Sequence, residues 1–288
     1  MNNLCNIKNN NIHNLNDLYK NLSKKARGLE KFQNLFKTTK IGKIKIKNKE
    51  LIIKKEFLKE NFIFINFLYK IFNLNVNEYD FYKKYTNKIN KYHFQNNIQL
   101  PIKYKICNKK YSIYVFNKIE TDLNHKFISK LNYADFNNVL LQIVYIMFFV
   151  NHILKVFHND VSQINRLRNF MVNKNKKPYY LKINDEHKIK INNYRVILID
   201  FGLFHKEIGF KTKLFYRKME IKYIYFFQIY SELLLCIYLL FNNYNKTTKI
   251  NFKKLYLYFF DKIKIKNLYH FDKCILDNIL DLDSKLLY

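Results

Sequence analysis

Phosphoryl transfer needs a general base, an oxygen donor for a hard cation and a group to hold the base in place. Residues 157–172 read FHNDVSQINRLRNFMV and follow a long, mostly apolar run. They offer His158, Asp160, Asn165 and Asn169 in that order, just ahead of a short strand-like FMV. Further on, VILIDFGLF sets Asp200, Phe201 and Gly202 at the end of an apolar stretch. A turn after a buried helix would be served by any Asn and Asp. The surrounding elements decide between the two.

With 288 residues the chain suits one large domain or two small lobes. A hydrophobic content of 49% and an aromatic content of 18% exclude a disordered chain. Four Gly, two Pro and no Trp, beside abundant Lys, Asn, Ile, Phe and Tyr, fit an AT-rich coding sequence. The net charge of +30 is spread along the whole length, with little arginine and no separate basic block. Lysine drift on solvated faces accounts for it, so nucleic-acid binding is the weaker reading. An acidic protein partner would still be drawn in by the field. Cys5, Cys107, Cys236 and Cys274 are widely spaced, with no CxxC pair and no secretory leader. They are expected as reduced thiols in a cytoplasmic setting, not as a zinc site or disulfide frame.

Two stretches, 139–157 and 223–241, are about long enough to cross a bilayer. Gln142, Asn151 and His152 interrupt the first, and Gln228, Ser231 and Glu232 the second. Lysine flanks both on each side, so no inside–outside asymmetry marks them. Two central helices of a helical lobe, with no transmembrane segment, are the expectation.

Along the chain, residues 1–25 read as a loose Asn-rich arm. IGKIKIKNKELIIKK (41–55) alternates on both sides of a polar turn, a β-hairpin signal. Residues 57–90 read as helical, LPIKYKIC and KYSIYVFNKI as strands, and 136–156 as a long helix. NFMV and YRVILID are short strands, and everything after about 220 reads as helix.

H-x-D, then Asn, then strand, then D-F-G is similar to the catalytic and metal-binding loops of the protein kinase superfamily. The upstream half resembles the same family. Lys54 follows Leu51, Ile52 and Ile53 like the phosphate-binding lysine, with Lys55 as its neighbouring alternative. Glu78 in NEYDFYKKY stands where a helix would present the carboxylate that pairs with it. The resemblance implies Phe116 as gatekeeper, and Asn117, Lys118 and Ile119 as the hinge that receives adenine. It implies Asp160 as the group that accepts or orients the substrate hydroxyl proton, Asp200 as a Mg²⁺ ligand, and His158 stacked on Phe201 as a structural spine. The second metal and catalytic-loop ligand stays open between two residues. Asn165 has the usual five-residue offset from Asp160, whereas Asn169 directly precedes FMV but needs a four-residue insertion. Asn169 is favoured.

The sequence departs from the family in several places. Gly28 and Gly42 are the only glycines ahead of Lys54, and neither forms a Gly-rich loop. Asn159 replaces the arginine expected before Asp160, so activity would not depend on phosphorylation of the segment after Asp200. Ser162 replaces a lysine, whose charge Arg166 or Arg168 would supply. The helix beginning near 221 lacks its expected acidic anchor.

The resulting expectation is an α+β, two-lobed protein-kinase-like fold resembling compact kinases of large DNA viruses. Residues 26–118 would form a small antiparallel β-sheet lobe with one helix, and 119–288 a shortened, mainly helical lobe. The implied function is ATP- and Mg²⁺-dependent transfer to Ser or Thr of a protein by a monomer in the host cytoplasm or a virion. The alternatives are a catalytically weak pseudokinase or scaffold, and a choline- or aminoglycoside-type small-molecule phosphotransferase.

Overall fold

The computed structural model describes residues 39–46, 49–57, 78–107, 111–163, 166–182, 188–208, 216 and 231–244. The expected arm over 1–25 and most of the chain after 208 lie outside them. Contacts divide the chain into two compact units. The first takes the described residues up to Lys84 with Gln99–Ile119, and the second takes Tyr85–Ile98 with those from Glu120 on. The secondary structure is mixed, with small antiparallel sheets and helices.

The first unit is built on strands β1 (Thr39–Ile46), β2 (Lys49–Phe57), β3 (Lys103–Cys107) and β4 (Tyr111–Asn117), in the order β1-β2-β4-β3. The alternating Ile–Lys pattern does form a hairpin, with Ile46 opposite Lys49. Because successive side chains on a strand face opposite ways, Ile52, Lys54 and Glu56 share one face of β2. Their partners across the ladder are Phe116, Tyr114 and Ser112. Helix α1 (Glu78–Lys91) supplies Tyr82, whose ring lies 5.7 Å from Tyr114 and 6.0 Å from Phe116. Phe57 still belongs to β2, and residues 58–77 of the expected helix lie outside the described ones. Residues 85–91 of α1 group with the second unit.

In the second unit, helix α2 (His125–Ile128) is followed by α3 (Tyr133–Phe148), which starts three residues before the expected 136. Asn132 caps it, accepting the Asp135 N–H at 2.8 Å. The helix then widens into a π-helical turn, Phe149–Ile153. Helix α4 (Ser231–Tyr244) lies against α3, where Phe136 stacks on Tyr244 at 3.8 Å and meets Phe241 edge-on at 5.4 Å. Among the described residues, one helix, Tyr133–Ile153, is long and apolar enough to cross a membrane, and 72% of its apolar window is buried.

The second unit also holds seven strands among its described residues, so this part is mixed where a mainly helical lobe was expected. Strands β5 (Thr121–Asp122), β8 (Phe170–Lys174) and β11 (Tyr194–Leu198) form a sheet with β8 in the middle. Two antiparallel pairs, β6 (Ser162–Gln163) with β7 (Arg166–Leu167) and β9 (Tyr179–Lys182) with β10 (Lys188–Ile191), form separate two-stranded sheets. Residues 85–98 join this unit through Asn97. Its amide donates to Val196 O at 2.8 Å, its side-chain oxygen accepts from Tyr179 at 2.8 Å, and its carbonyl accepts from Leu198 N–H at 2.8 Å.

Candidate functional site

The apolar helix α3 ends just before His158, Asn159 and Asp160, all of them buried. Buried backbone donors need acceptors, and one carboxylate supplies them. Glu232 accepts the N–H of His158 at 2.8 Å and of Asn159 at 2.5 Å, and the Asn151 amide at 3.2 Å. Asn151 sits in the π-helical turn. This corrects the expectation that the rear helix lacks an acidic anchor. Glu232 belongs to the described span of that helix, Ser231–Tyr244. Burial pushes the Glu232 carboxyl up to about 7, against the pull of these three donors, and the charge of Asp160 adds to the rise.

Asp160 is held from two sides. The Asn169 amide donates to its backbone carbonyl at 2.9 Å and to its carboxylate at 3.1 Å. Arg168 brings a guanidinium nitrogen to 3.4 Å from the same carboxylate. The hairpin β6–β7 accommodates the four extra residues, so Asn169 arrives beside Asp160 directly ahead of β8. Asn165 lies outside the described residues, as do the side chains of Gln163 and Arg166.

Asp200 follows β11, and its neighbour Ile199 is tied to the same loop twice. Ile199 N–H donates to Asn169 O at 2.9 Å, and Ile199 O lies 2.8 Å from His158 Nε2. The His158 and Phe201 rings are packed together, 4.8 Å apart and tilted by 60°. Asn159, Asn169 and Asp200 all take left-handed backbone angles, with φ of 63°, 61° and 62°. Asn and Asp tolerate that region best after glycine, and such residues concentrate at functional sites. Beyond Asp200, Phe157 and His205 exchange backbone hydrogen bonds at 2.7 and 3.0 Å. The Asn159 amide donates to Leu203 O at 3.3 Å and Glu207 O at 3.1 Å. The residue in the arginine's place therefore grips the main chain of this segment.

In the first unit Lys54 and Glu78 are brought together, with Lys54 Nζ 2.6 Å from Glu78 Oε2 and both side chains buried. Tyr82 donates to the other Glu78 oxygen at 2.7 Å. Lys55, one residue on, faces the opposite side of β2 and is half-buried. Phe116 is buried at the end of β4. Of the hinge residues, Asn117 O accepts from the Gln99 amide at 3.2 Å, and Lys118 N–H donates to Glu50 O at 3.2 Å. The Lys118 ammonium pairs with the Glu50 carboxylate, and Ile119 is buried. Gly42 lies within β1 opposite Ile53, in a ladder and not a loop, and Gly28 is outside the described residues.

The chain is similar to the structure of the Cydia pomonella granulovirus kinase, PK-1. The two are 14% identical over 82% of this chain and 78% of that chain, with a TM-score of 0.38. No protein-family model and no curated protein sequence matches it.

Among the described residues no group of three or more His, Cys, Asp and Glu could cage a metal ion. Magnesium does not require one, since it is commonly held by one or two carboxylates together with substrate phosphates and water. Asp200 offers a carboxylate. Because the Asn169 amide nitrogen points to Asp160, its side-chain oxygen is turned elsewhere. That oxygen-only donor set suits a hard cation.

Proposed function

We propose that this chain is an ATP- and Mg²⁺-dependent phosphotransferase acting on Ser or Thr of a protein. The observation that carries the proposal is the double role of Asn169, which holds the Asp160 carboxylate with its side chain and the strand leading to Asp200 with its carbonyl. The buried Lys54–Glu78 pair in the other unit adds independent support.

Asp160 accepts or orients the proton of the acceptor hydroxyl. Asn169 and Arg168 hold its carboxylate in place. Arg168 sets positive charge beside the reacting groups, in place of the lysine lost at Ser162. Glu78 aims the Lys54 ammonium at the nucleotide phosphates, since a flexible cation is useful only when directed. Asp200 and the Asn169 oxygen would hold Mg²⁺, which supplies charge neutralisation at those phosphates. The net charge of +30 suits acidic protein substrates.

A nucleotide-binding or scaffolding protein without chemistry is the second reading, favoured by Gly42 lying inside a strand and by the engaged carbonyl of Asn117. Nucleotide titration followed by thermal unfolding tests the proposal. Mg-ATP at a hundred times its Kd would stabilise the wild type by about 2.7 kcal/mol, and Lys54→Ala would lose most of that shift. No shift at millimolar nucleotide would reject the proposal. A shift without phosphoryl transfer would select the second reading.

A further inference from the structure

Glu56 is a buried carboxylate outside the proposed chemistry. It lies two residues beyond Lys54 on the same face of β2 and is 5% exposed. A buried carboxylate is costly unless hydrogen-bonded, and a single oxygen of Glu56 carries two bonds. Oε2 accepts the backbone N–H of Glu78 at 3.3 Å and the Tyr114 hydroxyl at 3.1 Å. Tyr114 lies opposite Lys54 in the ladder. Burial first, and then the charges of Glu56 and Glu78, push its phenol well up and keep it a donor.

Glu56 accepts the N–H of Glu78, while Lys54 and Tyr82 hold the side chain of that same residue. Main chain and side chain of Glu78 are thus fixed from one strand face and one helix turn.

We infer that Glu56 is a positioning residue: by accepting the Glu78 N–H it presents the Glu78 carboxylate to Lys54 and sets where the ammonium points. Its consequence for nucleotide binding rests on Lys54 being the phosphate-contacting lysine; the positioning itself does not. The two bonds described need one acceptor oxygen at that reach and no charge. Glu56→Gln keeps the oxygen in place, whereas Glu56→Asp keeps the charge but draws it back by one methylene.

The test is trace acetylation of the full chain with acetic anhydride, reading Lys54 relative to the more exposed Lys118 in the same sample. A loss of global structure would also raise the ratio, because Lys54 is buried and Lys118 is not, so only variants that unfold in urea at the wild-type midpoint are read. Glu56→Asp is expected to raise the ratio roughly tenfold, as the loss of a buried hydrogen bond would, and Glu56→Gln to leave it near wild type. In a Glu78→Ala background, Glu56→Asp should add nothing further. Should Glu56→Asp not fold, Tyr114→Phe, which removes the second donor to the same oxygen, is read in its place and should raise the ratio about threefold. A wild-type ratio in the folded variant, an equal rise with Gln, or an undiminished rise without Glu78 overturns the inference. Mg-ATP binding is measured separately on the same proteins. Wild type that binds no nucleotide while the ratios behave as expected would sink the phosphotransferase proposal and leave Glu56 in its role.

Discussion

Asn169 and Asp160 are joined through two hydrogen bonds from a single amide, one to the main-chain carbonyl and one to the carboxylate, at 2.9 and 3.1 Å. The amide therefore fixes both the turn of the loop and the direction of its acid. Asn169→Gly keeps the left-handed backbone unstrained and removes only the side chain. It should lower phosphoryl transfer by about a hundredfold, the scale of an ångström-sized misplacement. Asn165→Ala should stay within about twofold, because Asn169 already fills the role beside Asp160. Steady-state rates on one acceptor protein compare the two.

The Lys54–Glu78 pair is buried on both sides, so removing one partner leaves a charge without compensation. Lys54→Met should cost about 3–5 kcal/mol in urea unfolding. Adding Glu78→Gln should restore much of that loss, because the orphaned charge is gone while the Tyr82 hydroxyl keeps an acceptor. Equal stability of the single and double variants would show that the pair contributes little.

Glu232 gives stability a pH dependence of definite sign. Its carboxyl is raised by burial from an ordinary 4.5 to about 7, so the fold binds that proton more tightly than the unfolded chain does. Its contribution is complete below about pH 4.5 and is lost as pH rises through about 7. Between these limits wild type should lose on the order of 3 kcal/mol more than Glu232→Gln. Urea unfolding of both proteins across that range checks it. Parallel curves would mean that Glu232 stays ionised in the fold.

Asn159 grips the carbonyls of Leu203 and Glu207 with its own amide. Asn159→Gly suits the local φ of 63° and should speed amide exchange across residues 203–208 by about tenfold. Phosphatase treatment of wild type should leave transfer unchanged. A loss of activity on dephosphorylation would contradict this role for Asn159.

Much of this arrangement was legible because its parts carry local signals. Lys54 ends an apolar strand pattern, and Asp160 and Asp200 stand where apolar segments stop. The role of Glu232 was not legible, since the N–H groups it accepts belong to His158 and Asn159, 74 and 73 residues away. Glu56 and Asn97 were missed for the same reason: their partners lie 22 and 99 residues away, and nothing in a polar residue's neighbours announces so distant a bond. The β6–β7 hairpin is too short for alternation to show, which is why the sequence leaves both Asn165 and Asn169 open.

Radiolabelled phosphate transfer from ATP to casein, or to the protein itself, tests the catalytic proposal most directly. Wild type should incorporate label in a Mg²⁺-dependent way. Asp160→Ala and Asp200→Ala should each lose at least a hundredfold, the smallest effect expected for a group that handles the proton or the metal. Equal incorporation by all three proteins would contradict the assignment of both carboxylates.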